Sequence, residues 1–353
     1  MTRLRGGGAL AALASTAMLL LTPALADAAT APAAPAPADR PTAVVALGDS
    51  SAAGEGAGSY EVGTRGEGGD WCHRSPNAYI AHTGLAETAV NLACSGASSA
   101  NVGFGAARHY TEASQAQRLI AVARTHRVTM LVAQLGANDD PAFGPSVVSC
   151  VVAYLSPSRQ GCSVALAEQW PNRLAAMRPK VAGALADVRS AMRQAGYSDQ
   201  DYVLVVASYP SPVTESMPRT HGFSGCPFRV QDARWGRTEA VPQLSAALGE
   251  VAGKANARFL DLSRATEGHE ACTTQGTEWV RRLTVNPKAF ADGGLAAVSH
   301  LAQESFHPNA LGDAQVGSCL AQFVQAGARS GKCVPSGAGA LRAVVAQPSP
   351  LGG

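Results

Sequence analysis

The chain lacks any clustered run of lysine and arginine, any Cys-x-x-Cys pair and any large share of aromatic side chains. Each absence closes a class of function. Nucleic-acid binding needs a concentrated positive face, and the net charge here is only +2 with no basic run. Structural zinc sites rest on closely spaced cysteine pairs, so no metal is expected. At 5% aromatic residues, a broad platform for stacking sugars is not expected either. No Gly-x-Ser-x-Gly occurs, which removes support for a strained nucleophile elbow. Gly54-Glu55-Gly56-Ala57-Gly58 is glycine-rich but out of register for a dinucleotide. His269-Glu270-Ala271-Cys272-Thr273 begins like a zinc-protease helix but lacks the second histidine. No internal repeat is visible.

What is present starts with an export pattern. Arg3 and Arg5 precede an apolar stretch from Ala9 to Leu21, followed by Pro23 and Ala24-Leu25-Ala26. The stretch is short for a membrane span. A basic start, a short apolar centre and small residues at its end describe a secretory signal over residues 1–26, cleaved after Ala26. A lipoprotein anchor would need a cysteine at that site, and none is there. A secreted, extracellular chain without a stable membrane anchor is expected. Residues 27–41, rich in Ala and Pro, form a spacer. Residues 42–334 suffice for one large domain. Residues 335–353, rich in Gly, Ala and Pro, are expected to be a flexible tail.

Eight cysteines follow the signal, and an even count in an exported chain favours disulfides. Sequence alone leaves the connectivity open. Sequential pairing would give Cys72–Cys94, Cys150–Cys162, Cys226–Cys272 and Cys319–Cys333, each tying down a long connection.

The hydrophobic fraction of 46% supplies a substantial core. Five apolar runs recur, at Ala43–Leu47, Thr88–Leu92, Val128–Leu135, Tyr202–Ala207 and Arg258–Leu262. They show little alternation, as strands covered on both faces do. Helices are predicted at Pro76–Gly84, Ser114–His126, Arg173–Ala195 and Val241–Ala257, and from Ala310 to about Gly327. Alternating strands and helices imply a parallel sheet with helices on both faces. The long connections Pro141–Trp170, Pro210–Arg237 and Ser263–Ser305 are expected to wall a cleft beyond the carboxyl ends of the strands.

Candidate chemistry sits at those strand ends. Gly48-Asp49-Ser50 closes the first run, and Gly48 permits a tight turn there. Ser50 is either a nucleophile or a helix cap; adjacent Ser51 would point elsewhere. Gly96, in Cys94-Ser95-Gly96-Ala97-Ser98, lies just past the second run. Asn138, in Gln134-Leu135-Gly136-Ala137-Asn138-Asp139, lies past the third. The Ser50 N–H, the Gly96 N–H and the Asn138 amide would make a three-donor oxyanion hole. Simple turn roles are the alternatives for both Gly96 and Asn138. Asp139 and Asp140 invite a metal reading, but capping or solvated roles are preferred. His307, in Ser305-Phe306-His307-Pro308-Asn309, is fixed on a loop before the last helix and is the candidate general base. His300 lacks this context, and His73 reads as structural or on the cleft rim.

These four blocks, in this order, resemble the SGNH (GDSL) hydrolase family. Cys72-His73-Arg74-Ser75-Pro76-Asn77-Ala78-Tyr79 and Leu92-Ala93-Cys94-Ser95-Gly96-Ala97 are similar to its secreted actinobacterial esterase and lipase branch. The resemblance implies a three-layer α/β/α sandwich with a flavodoxin-like, five-stranded parallel sheet, which agrees with the strand count. It also implies the first three sequential disulfides, with Cys319–Cys333 an addition. One position departs: the family usually has an aspartate three residues before the histidine, and here stands Glu304. Either the Glu304 side chain or a backbone carbonyl would orient His307.

The implied reaction is ester hydrolysis through an acyl-serine, with no cofactor and a monomeric chain acting on a small-molecule or lipid ester. The apolar stretch Phe143 to Leu155 either lines an acyl pocket or is a buried helix face. The reading from another class is an inactive binding module for a cell-wall or glycan ligand built on the same fold.

Overall fold

The architecture follows from the way β1 (Thr42–Gly48) divides its side chains. Val45 and Leu47 enter one apolar cluster, and Val44 and Ala46 enter another on the opposite side. Strand side chains alternate between faces, so a strand that is apolar throughout must be covered twice. The structure, a computed structural model, describes residues 39–274, 276–286, 300–337 and 339–345. The predicted secretory signal and nearly all of the Ala/Pro spacer lie outside the described residues.

After β1 come α1 (Ser50–Ala53), β2 (Thr88–Asn91), α2 (Ser99–Val102), a small ribbon of β3 (Arg108–His109) and β4 (Glu112–Ala113), and α3 (Gln115–Thr125). Then follow β5 (Arg127–Gln134), α4 (Phe143–Leu155), α5 (Cys162–Gln194), β6 (Val203–Ala207), α6 (Val230–Trp235), α7 (Val241–Lys254) and β7 (Arg258–Asp261). Last are α8 (Ala310–Gln325), β8 (Ser330–Ser336) and β9 (Ala340–Val345). The main sheet runs β2-β1-β5-β6-β7-β8-β9, parallel at every step except the antiparallel β8–β9 pair. Its first five strands, counted among themselves, stand in the order 2-1-3-4-5, the flavodoxin-like arrangement. One face carries α3, α5 and α7 through Leu119, Val181, Leu185 and Leu248. The other carries α8 through Val316, Leu320 and Phe323, together with Tyr79 and Ile80. Each fully buried aliphatic side chain of this kind contributes about 1.5–3 kcal/mol.

The sheet has seven strands where five were expected. The two extra strands come from the end of the chain, so residues 335–337 and 339–345 are not the loose tail their composition suggested. Glycine and alanine around them hide the apolar residues of β9, whose Leu341 is buried against α8. Residues 346–353 lie outside the described residues.

Helices also occupy stretches read as connections. The Pro141–Trp170 stretch contains α4 and the first turns of α5, which runs for 33 residues through Pro171 and Pro179. The Pro210–Arg237 stretch contains α6, which passes through a π-helical turn at Gly236–Ala240 into α7. Conversely, Pro76–Gly84 yields only a single 3-10 turn at Tyr79–His82. The four disulfides are Cys72–Cys94, Cys150–Cys162, Cys226–Cys272 and Cys319–Cys333, the sequential pairing. Among the described residues, no helix is long and apolar enough to cross a membrane.

Candidate active site

Gly48 sets the site at the carboxyl end of β1. Its φ is +139°, and a Cβ there would collide with the backbone of Gln134 on β5. Gln115 clamps it from α3: its side-chain NH2 donates to the Gly48 carbonyl and its oxygen accepts from the Gly48 N–H, both at 2.7 Å. Asp49 caps α1, its carboxylate accepting from the Ser51 N–H at 3.1 Å. Ser50 therefore opens α1 with its hydroxyl at the strand end, partly exposed.

His307 meets it from 257 residues away. Its Nε2 lies 2.8 Å from the Ser50 Oγ. Its Nδ1 lies 3.1 Å from the Ser305 carbonyl. A carbonyl can only accept, so Nδ1 carries the proton and Nε2 offers its lone pair to the hydroxyl. Burial lowers the pKa of His307 below its ordinary value, opposed in part by the Glu55 charge and by the carbonyls of Ser305 and Gln303. The neutral, basic form is thereby favoured at neutral pH.

Glu304 does not take the place expected of it. Its carboxylate lies 3.5 Å from the Arg281 Nε, and the carbonyl at Nδ1 belongs to Ser305. The cause is local. Phe306, buried edge-on against Phe228, holds a left-handed φ of 62°. That residue folds the Ser305 carbonyl back onto the ring two positions later.

Gly96 is exposed with φ +78°, in the turn five residues beyond the end of β2. Asn138 is partly exposed, and its Nδ2 donates to the Ala97 carbonyl at 3.2 Å. The amide and the Gly96 turn are thus side by side. Asp139 caps α2, accepting from the Ser99 hydroxyl at 2.6 Å and from the Ser99 N–H. Asp140 pairs with Lys180 at 2.9 Å. The two carboxylates are spent on separate structural bonds. In α4, Ser146, Cys150 and Ala153 are buried while Val148, Val152 and Leu155 face solvent, so the helix is apolar on its uncovered face as well. A concavity of about 430 Å³ opens beside the His307 loop, lined by Ala57, Glu278, Val280, Arg281 and Asn309 among others.

Several supporting groups carry no sequence signal. Tyr209, buried at the end of β6, donates its hydroxyl to Asp49 and accepts from the Ala137 N–H at 3.3 Å. Burial raises the Asp49 carboxyl to about 7, against the lowering effect of the Tyr209 and Ser51 hydrogen bonds. Glu55, one turn past Ser50, is fully buried. His73, read as structural, is Glu55's partner at 2.9 Å. His300 stacks flat on Trp71 with ring centroids 4.4 Å apart. His269 stacks on Trp279 at 3.8 Å and reaches the Thr277 carbonyl, a packing role.

Known proteins share the family and the fold. Residues 46–315 match the model of the GDSL-like lipase/acylhydrolase family. A lipase of Streptomyces rimosus is 25% identical over 306 residues, covering 86% of this chain and 94% of that protein. The crystal structure of phospholipase A1 from Streptomyces albidoflavus shares the fold, with a TM-score of 0.52 at 20% identity, covering 77% of this chain and 94% of that one. The family match spans well over half of the sequence, through the ends of the strands that carry Ser50, Gly96 and Asn138 and past His307. The chain belongs to the GDSL-like lipase/acylhydrolase family and is a carboxylic ester hydrolase.

Proposed function

We propose that the protein is a secreted esterase or lipase that works through an acyl-serine on Ser50. The 2.8 Å approach of the His307 Nε2 to the Ser50 Oγ carries this reading. His307 takes the hydroxyl proton as the oxygen attacks the ester carbonyl carbon. The negative oxygen of the tetrahedral intermediate accepts from the Ser50 N–H, the Gly96 N–H and the Asn138 amide, where one lost donor costs about 3 kcal/mol. His307 then returns the proton to the departing alcohol. Water, deprotonated by the same ring, releases the acid and restores the serine. The Ser305 carbonyl holds the ring and its tautomer throughout.

The secretory pattern of residues 1–26 and the four disulfides support an extracellular site of action. The lipase of Streptomyces rimosus and the phospholipase A1 of Streptomyces albidoflavus favour lipid or short-chain esters over polysaccharide acetyl groups. The test is release of p-nitrophenol from esters of graded acyl length by wild type and Ser50→Ala. Turnover by wild type and its loss in the variant is the expected result, and the chain-length profile separates esterase from lipase. No turnover by either protein would return the chain to the class of inactive binding modules.

A further inference from the structure

The His307 ring has a carbonyl where many serine hydrolases have a carboxylate, so the imidazolium formed during attack has no anion at Nδ1. The structure nevertheless places a carboxylate close by. Glu55 is fully buried and makes four side-chain contacts. One oxygen lies 2.9 Å from the His73 Nδ1 and accepts from the Tyr60 hydroxyl at 3.3 Å. The other accepts from the Ser95 hydroxyl at 2.6 Å and from the Gln303 NH2 at 2.7 Å. Ser95 immediately precedes Gly96, and Gln303 lies on the turn that leads to His307. The next residue, Gly56, packs directly beneath the base. A Cβ on it would come within 3.0 Å of the His307 Cβ and 2.6 Å of the Pro308 carbonyl oxygen. Arg281 donates to the Gly56 carbonyl and also pairs with Glu304, which closes the frame from the other side.

An ionised carboxylate without water is costly unless its oxygens are satisfied. Here both oxygens are satisfied, by partners from four separate parts of the chain. That is more connectivity than a local packing role requires. Burial raises the Glu55 carboxyl, but the His73 hydrogen bond and charge, the His307 charge and the Ser95 hydrogen bond together hold it below its ordinary value. The group is therefore ionised across the working range. The titratable and charged groups around the pair are His73, Tyr60, Tyr110 and His300 on the Glu55 side, with Glu304 and Arg281 on the His307 side. Glu304 also raises the pKa of His307, while it pairs with Arg281.

We propose that Glu55 is a positioning residue of the hydrolytic site: its buried carboxylate ties the Gly96 turn and the His307 loop into one frame and supplies the negative charge that steadies the His307 imidazolium. This rests on the esterase reading, and one readout is independent of turnover. Histidine titrations followed by NMR compare the Ser50→Ala protein with and without Glu55→Gln. Removing the nearby anion should lower the His307 midpoint by about half a unit or more. In the Ser50-containing protein, Glu55→Gln should lower kcat about tenfold or more, with KM changed less than about threefold, because the loss falls on the transition state. The acid limb of kcat/KM should move to lower pH with the midpoint, since His307 must be neutral to act as a base. An unchanged His307 midpoint overturns the assignment whatever happens to stability, and so does an undiminished kcat. Should Glu55→Gln fail to fold, Gln303→Met cuts the tether and leaves the charge in place. It should lower kcat while the midpoint stays put, and full kcat there overturns the assignment equally. Absence of turnover in wild type would defeat the esterase reading alone, because the titration does not depend on it.

Discussion

At the scale of single residues, the site depends on which atom faces the Nδ1 of His307. That atom is the Ser305 carbonyl oxygen, while the Glu304 carboxylate turns to Arg281. Glu304→Gln should therefore keep kcat/KM within about threefold of wild type, because the substitution removes no hydrogen bond to the ring. Steady-state kinetics on a soluble ester checks this, and a loss of two orders of magnitude would mean that the carboxylate orients the base. Ser50, Gly96, Asn138 and His307 could be picked out as candidates because each stands at a recognisable place, three beyond predicted strands and one ahead of a helix. Glu55 was not, since a glutamate between two glycines gives no sign of burial. Nor was Ser305, whose contribution is a main-chain oxygen that any side chain would leave in place. The left-handed Phe306 behind it is a tertiary effect, set by packing on Phe228.

At the scale of elements, the ends of β1, β5 and β6 are held in register by one phenol. The Tyr209 hydroxyl bridges Asp49, beside Ser50, and the Ala137 N–H, beside Asn138. Tyr209→Phe should cost about 1–3 kcal/mol, because it leaves a buried carboxyl oxygen and a buried N–H without partners. It also carries a pH signature. The Asp49 carboxyl is raised to about 7 when folded. Its stabilising contribution is complete below the unfolded pKa of about 3.9 and is lost as pH rises through the folded value. The Tyr209 hydrogen bond favours the ionised form, so removing it raises the folded pKa further. The decline in stability should then extend to higher pH in Tyr209→Phe, which thermal melts across the pH range would show. The parallel strands were legible from their continuous apolar runs. The start of α5 was not, because Pro171 marks a break in the sequence pattern although the helix passes through it, as it does through Pro179. Similarly, α6 and α7 read as loop and helix because a π-turn at Gly236–Ala240 disturbs the period between them.

At the scale of the whole molecule, two of the long connections are joined to each other by a covalent link. Cys226–Cys272 closes a separation of 46 residues, and both cysteines share an apolar cluster with Phe228 and Phe306, next to His307. A loop of that size implies about 4 kcal/mol in the chain-entropy account. Replacing both cysteines with alanine should lower the melting temperature, and esterase activity should fail several degrees before global unfolding, because the His307 loop loses its support first. Parallel scans of activity and circular dichroism would show whether the two transitions separate. The separation of 257 residues between hydroxyl and imidazole has a further consequence for biosynthesis. At about 10 residues per second, roughly half a minute of translation divides the arrival of one from the arrival of the other. Under the proposed chemistry the nascent polypeptide is inert throughout that interval, and the esters of the cell that makes it meet no finished catalyst.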